Sequence, residues 1–594
     1  MRSLAVSLAL FSAVLTCVLA TPTRSLGGDA PSAIVGLTTP DPGAPLKILP
    51  STAPMDVGGD CRAGWPVNLH APGAGFPYTP TLFDVDGDGA DEIFLTGGDT
   101  FGLRGDGSFM PGWPTTEQIY MGYGTNEQKP GPSAADLEGD GDVEIMWSER
   151  DWWAGSAHMW CFNGRESNGS NMQGFPQYAP DDYSNALDVP FVLGDADGDG
   201  VLEAWGPHTL GNNFVHYRVS AFSAQGVRLF TRDINHSENI LDLYFGDLDG
   251  NGSDEFFAVS WLDPTMRLYV FTPTGGDAPG YPVTLGTFTG GYLAFGPPVP
   301  VDMDRDGDLE FLIGYTSGST SMAYARHHNG APVAGYPITI ATSSQLFYLG
   351  VGDLTGDHEP ELLALENFLT GTNRAFAFRL ADGVLLPGWP FFITDWPHGF
   401  PCVVDVDGDG RQDLCVSTDG GQVLAIRGDG VLLPGFPKQM IASSISGVAA
   451  GDIDGDGLFE LVSSTWNGYV YAWDTTGPVY PGRADWPMRG VDARNTGIYR
   501  RFDVAAVSSS SPSIRPHLQI VPNPAHAGAV FSLAGAQDGV TLDILDVTGR
   551  RVDSVTLLGD RAWWQAAPSL PAGVYLVRSR LAGSLPGNRF VLLR

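Results

Sequence analysis

The sequence predicts an all-β chain, and three observations predict it. An acidic nonapeptide recurs eight times at nearly constant spacing, the copies run into apolar, strand-like stretches, and glycine and proline are abundant. With 78 Gly and 45 Pro in 594 residues, there is little room for helices of ordinary length. The turn-rich remainder reads as short strands.

The acidic copies are DVDGDGADE at 84, DLEGDGDVE at 136, DADGDGVLE at 195, DLDGNGSDE at 247, DMDRDGDLE at 302, DLTGDHEPE at 353, DVDGDGRQD at 405 and DIDGDGLFE at 452. A period near fifty residues held over so many copies marks a repeat architecture. Oxygen ligands at alternate positions, with glycine where the chain must turn, suit calcium, which accepts six to eight oxygens in flexible geometry. Magnesium keeps its waters and fits less well. In the first loop the expected ligands are the side chains of Asp84, Asp86 and Asp88, the Ala90 carbonyl and the closing carboxylate of Glu92, with Gly89 at the turn. The second and third loops offer Asp136, Glu138, Asp140 and Glu144, then Asp195, Asp197, Asp199 and Glu203. The fourth and fifth offer Asp247, Asp249, Asn251 and Glu255, then Asp302, Asp304, Asp306 and Glu310. The sixth has Asp353, Asp357 and Glu361, the seventh Asp405, Asp407, Asp409 and Asp413, and the eighth Asp452, Asp454, Asp456 and Glu460.

An EF-hand would need an acid at position twelve, where these loops carry Leu95, Trp147, Gly206, Ala258, Ile313, Ala364, Val416 and Ser463. The loops therefore join strands. The sixth loop, with Thr355 at position three and His358 in place of glycine, is expected to be weak or empty. Asn251 still offers a carbonyl oxygen, and Glu138 keeps the charge. If each intact loop binds about tenfold tighter than ambient calcium, linkage contributes roughly 1.4 kcal/mol per site. Summed over the loops this is on the order of 10 kcal/mol, comparable with the stability of an ordinary domain. Calcium is then a structural component.

A net charge of -36, concentrated in these loops, argues against nucleic acid or an anionic membrane as partner. Residues 1–20, MRSLAVSLALFSAVLTCVLA, read as a signal peptide. Thr16 makes a poor lipobox for lipid attachment at Cys17. No later apolar run is long enough to be a transmembrane segment, so an extracellular or cell-surface location is expected. Residues 21–61, rich in Pro, Gly, Ser and Thr, read as a disordered leader. Of the remaining cysteines, Cys61, Cys161, Cys402 and Cys415, the last two flank the seventh loop. Export permits a bridge between them, while an offset by one from symmetric pairing would place them on opposite faces. The spacings suggest no zinc site.

A second motif lies between the acidic loops: PGWP at 111, QGFP at 173, PGYP at 279, AGYP at 334, PGWP at 387 and PGFP at 434, with an early GWP at 64. The seventh repeat parses into PCVV, LCVS, QVLAI and VLLPGFP, four strands per period. Strands that are apolar without alternation are buried on both faces. Four-stranded sheets packed around an axis, a β-propeller, give that burial.

The acidic loops resemble the FG-GAP, or VCBS, repeats of the integrin α-subunit propeller and of many bacterial exported proteins. Five copies match D-x-[DN]-x-D-G-x-x-[DE] in full; the second and fourth depart at Glu138 and Asn251, and the sixth matches approximately. The resemblance covers about residues 62–496. It implies a calcium-bearing propeller in which eight loops favour eight blades, against seven in integrins. The closing WPMRGVDARNTGIYR resembles the final segment of bacterial propellers, and the early GWP is expected to lend a strand to the closing blade. Beyond a linker at 497–515 containing SSSSP, residues 516–594 resemble FlgD-like immunoglobulin-type modules and type IX secretion sorting domains. That resemblance implies a small Ig-like β-sandwich, export across an outer membrane, and surface attachment or release.

No G-x-S-x-G elbow and no H-E-x-x-H occurs. The pair His327-His328 reads as a surface turn, since neighbours on a strand point to opposite faces. The RGD tripeptides at 104–106 and 427–429 sit where other copies carry tight turns, and turn chemistry explains them. Trp152, Trp153, His208, Tyr120, Tyr123, Tyr178 and Tyr183 fall in the longer connections of the first three repeats. They are candidates for stacking on sugars or anchoring a protein, with packing between blades as the plainer role. The reading is a non-enzymatic exported binder or scaffold for a protein or glycan ligand. The alternative is a calcium-dependent polysaccharide lyase or related carbohydrate-active propeller enzyme. The ligand and the oligomeric state are not specified by sequence.

Overall fold

A computed structural model describes residues 61–499 apart from 70–78, 97–98, 116–130, 152–158, 184–189, 210–216, 235–238, 295, 343–344, 368–372, 445, 480–483 and 490. Further on it describes 518–521, 528–533, 541–545, 550–556, 561–565, 567, 570–579 and 588–592. Among these residues there is no helix, and the strands form many small antiparallel sheets. In chain order the sheets of the repeat region span 81–103, 133–183, 192–233, 239–287, 291–342, 345–393, 397–439 and 448–478. They are called the first to eighth sheets below. Most are simple meanders in which each acidic loop joins the first strand to the second.

The apolar runs after the loops explain the packing. Glu92–Thr96 and Asp413–Thr418 are buried at every position, because both faces of each sheet are covered by neighbours. One apolar cluster joins Phe94 of the first sheet to Ala134 and Ile145 of the second. Others join Phe162 to Phe191 and Phe222, Trp205 to Phe256, and Phe257 to Phe311. Leu312, Leu363 and Val416 share a cluster, as do Cys415 and Leu461. Ile93 and Leu95 then meet Val462 and Ala472, so the eighth sheet packs on the first. The early segment also crosses that junction: Val67–Asn68 pairs with Tyr469 and Val470 at the edge of the eighth sheet.

Four of the GWP-type motifs tie one sheet to the next through the aromatic side chain. Trp65 Nε1 donates to the Gly105 carbonyl at 3.0 Å, Trp113 Nε1 to Ser167 O at 2.9 Å, and Trp389 Nε1 to Gly428 O at 2.9 Å. Tyr336 OH donates to Leu380 O at 2.8 Å. In each case the aromatic reaches the turn after the third strand of the following sheet. Both RGD tripeptides lie in such turns, where Arg104 and Arg427 N–H groups donate to Ser108 and Val431. Two glycines of the motif leave no room for a side chain. At Gly112 and Gly388 φ is +88° and +91°, and a Cβ would lie 1.8 Å from Asn168 O and 1.9 Å from Asp429 O.

The fourth strand of the seventh sheet differs from the sequence parse. It is Lys438–Gln439, after the PGFP motif, while VLL only returns from the RGDG turn along the third strand, with an isolated bridge from Leu432 to Ile426. Gly435, at φ +85°, turns the chain before pairing resumes.

After the eighth sheet the chain runs along the first strands of several sheets. Ala484–Trp486 pairs with Val403 and Val404. Ala450 N–H donates to Pro487 O, Ala134 N–H to Ala493 O, Leu193 N–H to Arg494 O and Phe245 N–H to Thr496 O. Tyr499 N–H donates to Pro300 O, so the paired segment extends to Tyr499. One stretch of fewer than twenty residues thus bonds to the seventh, eighth, second, third, fourth and fifth sheets.

The C-terminal residues form two further antiparallel sheets, one of 518–521, 528–533 and 561–565, the other of 541–545, 551–556, 573–579 and 588–592. Phe531 and Trp564 from one share an apolar cluster with Leu542, Ile544, Tyr575, Val577 and Leu592 from the other.

Asn495 links the closing segment to the ring. It sits at φ 54°, its Nδ2 donates to Ser133 Oγ at 2.7 Å, and it is 4% exposed. Asn495→Ala is predicted to lose about 2 kcal/mol by thermal or urea unfolding, from the lost buried hydrogen bond and the poorer fit of alanine to that backbone. Asn495→Gly should lose less, since only the hydrogen bond goes.

Candidate metal centres

Each acidic loop is organised by its first and last carboxylates. Asp84 Oδ1 accepts the N–H groups of Gly87 and Asp88 at 2.8 and 3.2 Å, and its Oδ2 accepts Gly89 N–H at 3.0 Å. Asp136 and Asp195 repeat the pattern, at 2.7, 3.1 and 2.9 Å and at 2.7, 3.2 and 2.8 Å. Asp247, Asp302, Asp353, Asp405 and Asp452 each accept one or more of the same amides. At position five, Asp88, Asp140, Asp199, Asp306, Asp357, Asp409 and Asp456 each accept the N–H two residues on. These local bonds satisfy the turn's amides as Asx turns do.

The closing acid bonds across the loop. One oxygen of Glu92, Glu144, Glu203, Glu255, Glu310, Glu361, Asp413 and Glu460 accepts the N–H of the loop's second residue at 2.8 to 3.0 Å. In Glu144 the other oxygen, Oε1, is shut off from solvent and accepts no hydrogen bond, whereas in Glu310 it lies 2.7 Å from His327 Nδ1. A buried carboxylate oxygen without a donor is costly, and a cation is what would satisfy it. The carboxylates of Asp84, Asp86 and Glu92 bring oxygens within 4.8 Å of one another, as do Asp195, Asp197 and Asp199, Asp247, Asp249 and Glu255, and Asp302, Asp304 and Asp306. That separation is what two oxygens on one calcium ion span, at about 2.4 Å each. The residues fit the ion.

Electrostatics point the same way. Burial, reinforced by the neighbouring loop carboxylates, pushes Glu92 and Glu203 up to about 7 and Glu361, Asp413 and Glu460 up to about 8. Glu144 rises to about 8 and Glu310 to about 9, again chiefly through burial. Asp452 rises to about 6 for the same reason. Neutral closing acids relieve the repulsion in the absence of a cation.

Adjacent loops also hold one another. Asp91 N–H donates to Asp452 O, Leu202 N–H to Leu137 O, Leu309 N–H to Leu248 O and Gln412 N–H to Asp353 O. The loops differ in detail. In the sixth, His358 adopts φ 66° and its N–H still reaches Asp353 Oδ2 at 2.8 Å, so the turn survives the loss of glycine. In the fourth, Asn251 Oδ1 accepts Ser253 N–H and its Nδ2 donates to Glu255 Oε1 at 3.2 Å. There Asn251 presents a donor to the closing acid. In the eighth, the Arg62 guanidinium pairs with Asp454, lies 2.7 Å from Asp474 Oδ1 and 3.8 Å from Glu460 Oε1. Arg62 neutralises part of that cage; sequence reasoning missed it because the residue is nearly four hundred positions away.

Other sequence candidates fall into place or outside the described residues. Trp152, Trp153, Tyr120 and Tyr123, and the whole of residues 1–60, lie outside them. His208 lies within the strand Glu203–Thr209, buried, with Nε2 2.9 Å from Ser220 Oγ. It is therefore not an exposed loop residue: the second strand extends further than the pattern indicated. Tyr178 and Tyr183 belong to the strand Gln177–Tyr183 rather than to a connection. Cys402 and Cys415 pair directly across two strands, both buried and unbridged. The predicted opposite-face placement fails because position nine, Asp413, belongs to the strand and pairs with Val404, which shortens the loop by one. His327 and His328 both turn towards Asp308, with Nδ1 and Nε2 at 3.8 and 3.3 Å from its carboxylate oxygens. Alternation stops there because the strand Thr320–His327 ends.

Two outcomes follow for the metal-free protein. The closing acids have folded pKa values above their ordinary values, so the stability they contribute is full below about pH 4 and is lost as pH rises through about 7 to 8. The chelated protein should therefore melt higher near pH 5 than near pH 8, and saturating calcium should reverse the order, since only the carboxylate binds the ion. Asp413→Asn should stabilise the chelated protein and destabilise the calcium-loaded one, by about 1 kcal/mol in each direction, measured by thermal unfolding at pH 8.

Residues 405–463 match a model of an FG-GAP-like repeat. No curated protein matches the chain. Among solved structures, the chain is similar to the Bacillus licheniformis rhamnogalacturonan lyase PL11, at 17% identity over 73% of this chain and 80% of that one, TM-score 0.43. It is similar to PorZ, a surface component of the type-IX secretion system of Porphyromonas gingivalis, at 13% identity over 86% and 65%, TM-score 0.31. BamB from Moraxella catarrhalis is similar at 11% identity over 55% and 81%, TM-score 0.33. The chain thus carries an FG-GAP-like repeat within an all-β fold of small antiparallel sheets.

Proposed function

We propose that this chain is an exported, calcium-stabilised, eight-bladed β-propeller followed by an Ig-like sorting module, and that it acts as a non-enzymatic scaffold binding a protein or glycan outside the cell. The observation that carries the reading is the closing carboxylate, which recurs in all eight loops with one oxygen fixed by a backbone N–H and which gathers with the loop's other carboxylates, as Glu92 does with Asp84 and Asp86. Eight sheets sharing apolar clusters in sequence, with the eighth packed on the first, support the blade number. The signal-like residues 1–20 support export, and the paired C-terminal sheets with one apolar core support the Ig-like reading.

In this reading Asp84, Asp86, Asp88, the Ala90 carbonyl and Glu92 hold the first ion, and the equivalent residues hold the others. Calcium supplies the positive charge that lets clustered carboxylates stay ionised. The protein's share is to fold the turns in advance and to set neighbouring cages side by side. The blade edges and connections are then held rigid as a presenting surface.

Removal of calcium by EGTA is expected to lower the melting temperature by well over 10 °C, because several linked sites contribute on the order of 10 kcal/mol together. Calorimetric titration should return six to eight calcium ions per chain. A melting temperature unaffected by thorough chelation would sink the proposal. For the ligand, a glycan array and a pull-down with the calcium-loaded chain are the direct assays; glycan binding lost in Trp152→Ala would specify a lectin.

A further inference from the structure

The seventh sheet carries a pair of cysteines that the metal reading does not use. Cys402 lies in its first strand, Pro397–Val404, and Cys415 in its second, Asp413–Thr418. The two are direct partners in an unbroken run of register: Cys402 with Cys415, Val403 with Leu414 and Val404 with Asp413. Direct antiparallel partners point to one face of the sheet, with Cα atoms about 4.5 to 5.5 Å apart. A disulfide spans about 4.4 to 6.8 Å between Cα atoms, so the backbone already has the spacing that a bridge needs.

The surroundings favour a bridge over two thiols. Both residues are wholly buried, in the cluster where the seventh sheet meets Leu461, Tyr471 and Trp473 of the eighth. A hydrogen bond with the Cys402 thiol, together with burial, pushes the Cys415 thiol well above its ordinary value. Cys402 Sγ donates to Pro487 O at 3.4 Å, and that carbonyl also accepts Ala450 N–H at 2.8 Å. Loss of the thiol hydrogen therefore leaves no backbone group unsatisfied. Cys61 packs against the same cluster from the early segment and is the competing partner.

We propose that Cys402 and Cys415 are an oxidation site and form a cross-strand disulfide that staples the foot of the seventh acidic loop. The bond closes residues 402–415 into a ring that contains the whole loop, Asp405 to Asp413. It also fixes the strand on which Ala484–Trp486, the start of the closing segment, pairs through Val403 and Val404. The chemistry is thiol–disulfide exchange with an oxidant that is itself a disulfide. One cysteine thiolate attacks the oxidant, and the second cysteine displaces it from the mixed disulfide. One S–S bond forms in the chain and the oxidant's S–S bond breaks. The two thiol hydrogens and two electrons end on the oxidant's sulfurs as two new thiols. Because the folded strands shield both sulfurs, exchange takes place before the seventh sheet docks on the eighth. The oxidant met in the cell rests on the export reading; the geometry of the pair does not.

The test makes the full chain by cell-free synthesis in calcium, with either oxidised glutathione or dithiothreitol present. Each sample is then unfolded in an alkylating agent and mapped by peptide mass spectrometry. With oxidised glutathione the expected result is a linked peptide pair joining Cys402 to Cys415, lighter by two hydrogens than its reduced parts. The bridged chain should melt several degrees above the chain made in dithiothreitol, and its bond should resist dithiothreitol until denaturant is added. The double variant Cys402→Ala, Cys415→Ala should melt at one temperature under both conditions. The proposal is overturned if both residues are recovered alkylated from the oxidised sample, if either is linked to another cysteine instead, or if the bridged chain melts no higher than the reduced one. A chain that bridges in this assay yet comes reduced from its own cells would support the pair and count against export.

Discussion

The architecture depends on how a dense set of carboxylates is held together. In every acidic loop the first and last acids are tied to backbone amides, so the turn is folded by hydrogen bonds that do not require a metal. What those bonds leave over is negative charge in a partly buried place. The closing acids respond by holding their protons well above the usual carboxylate range. The loop geometry and the charge problem are therefore distinct: hydrogen bonding solves the first, and only a proton, a guanidinium or a metal ion solves the second. The eighth loop uses Arg62 for part of this task.

The ring is closed by three devices of different kinds. Apolar clusters between sheets supply the non-directional burial. In four of the GWP-type motifs the aromatic adds a directional bond to the next sheet's turn, through indole N–H in Trp65, Trp113 and Trp389 and through phenol in Tyr336. The closing segment, from Ala484 to Tyr499, then bonds to first strands of six sheets. A repeat protein whose neighbours interact only pairwise can open at any junction; a segment that touches many repeats at once couples them. Backbone pairing at the first strands and bonds between neighbouring loops both hold the sheets together.

The acidic repeat, the aromatic motif and the uninterrupted apolar strands were legible because each is local. The spacing of Asp84, Asp86, Asp88 and Glu92 is a property of nine consecutive residues, and so are the hydrogen bonds that shape them. The strand positions after the loops followed from the apolar runs. Small errors arose where length mattered: the strand carrying His208 ran further than the pattern suggested, and position nine of the seventh loop joined the strand, which set Cys402 opposite Cys415.

The chain by itself determined the repeat, the all-β character and the ligand-rich turns, since these depend on residue type and short spacing. Tertiary structure alone decided that Arg62 enters the eighth loop, that His327 and His328 converge on Asp308, and that the final segment visits many sheets. Those facts depend on contacts between residues tens to hundreds of positions apart, and no local pattern of charge or hydropathy encodes which distant partner will arrive.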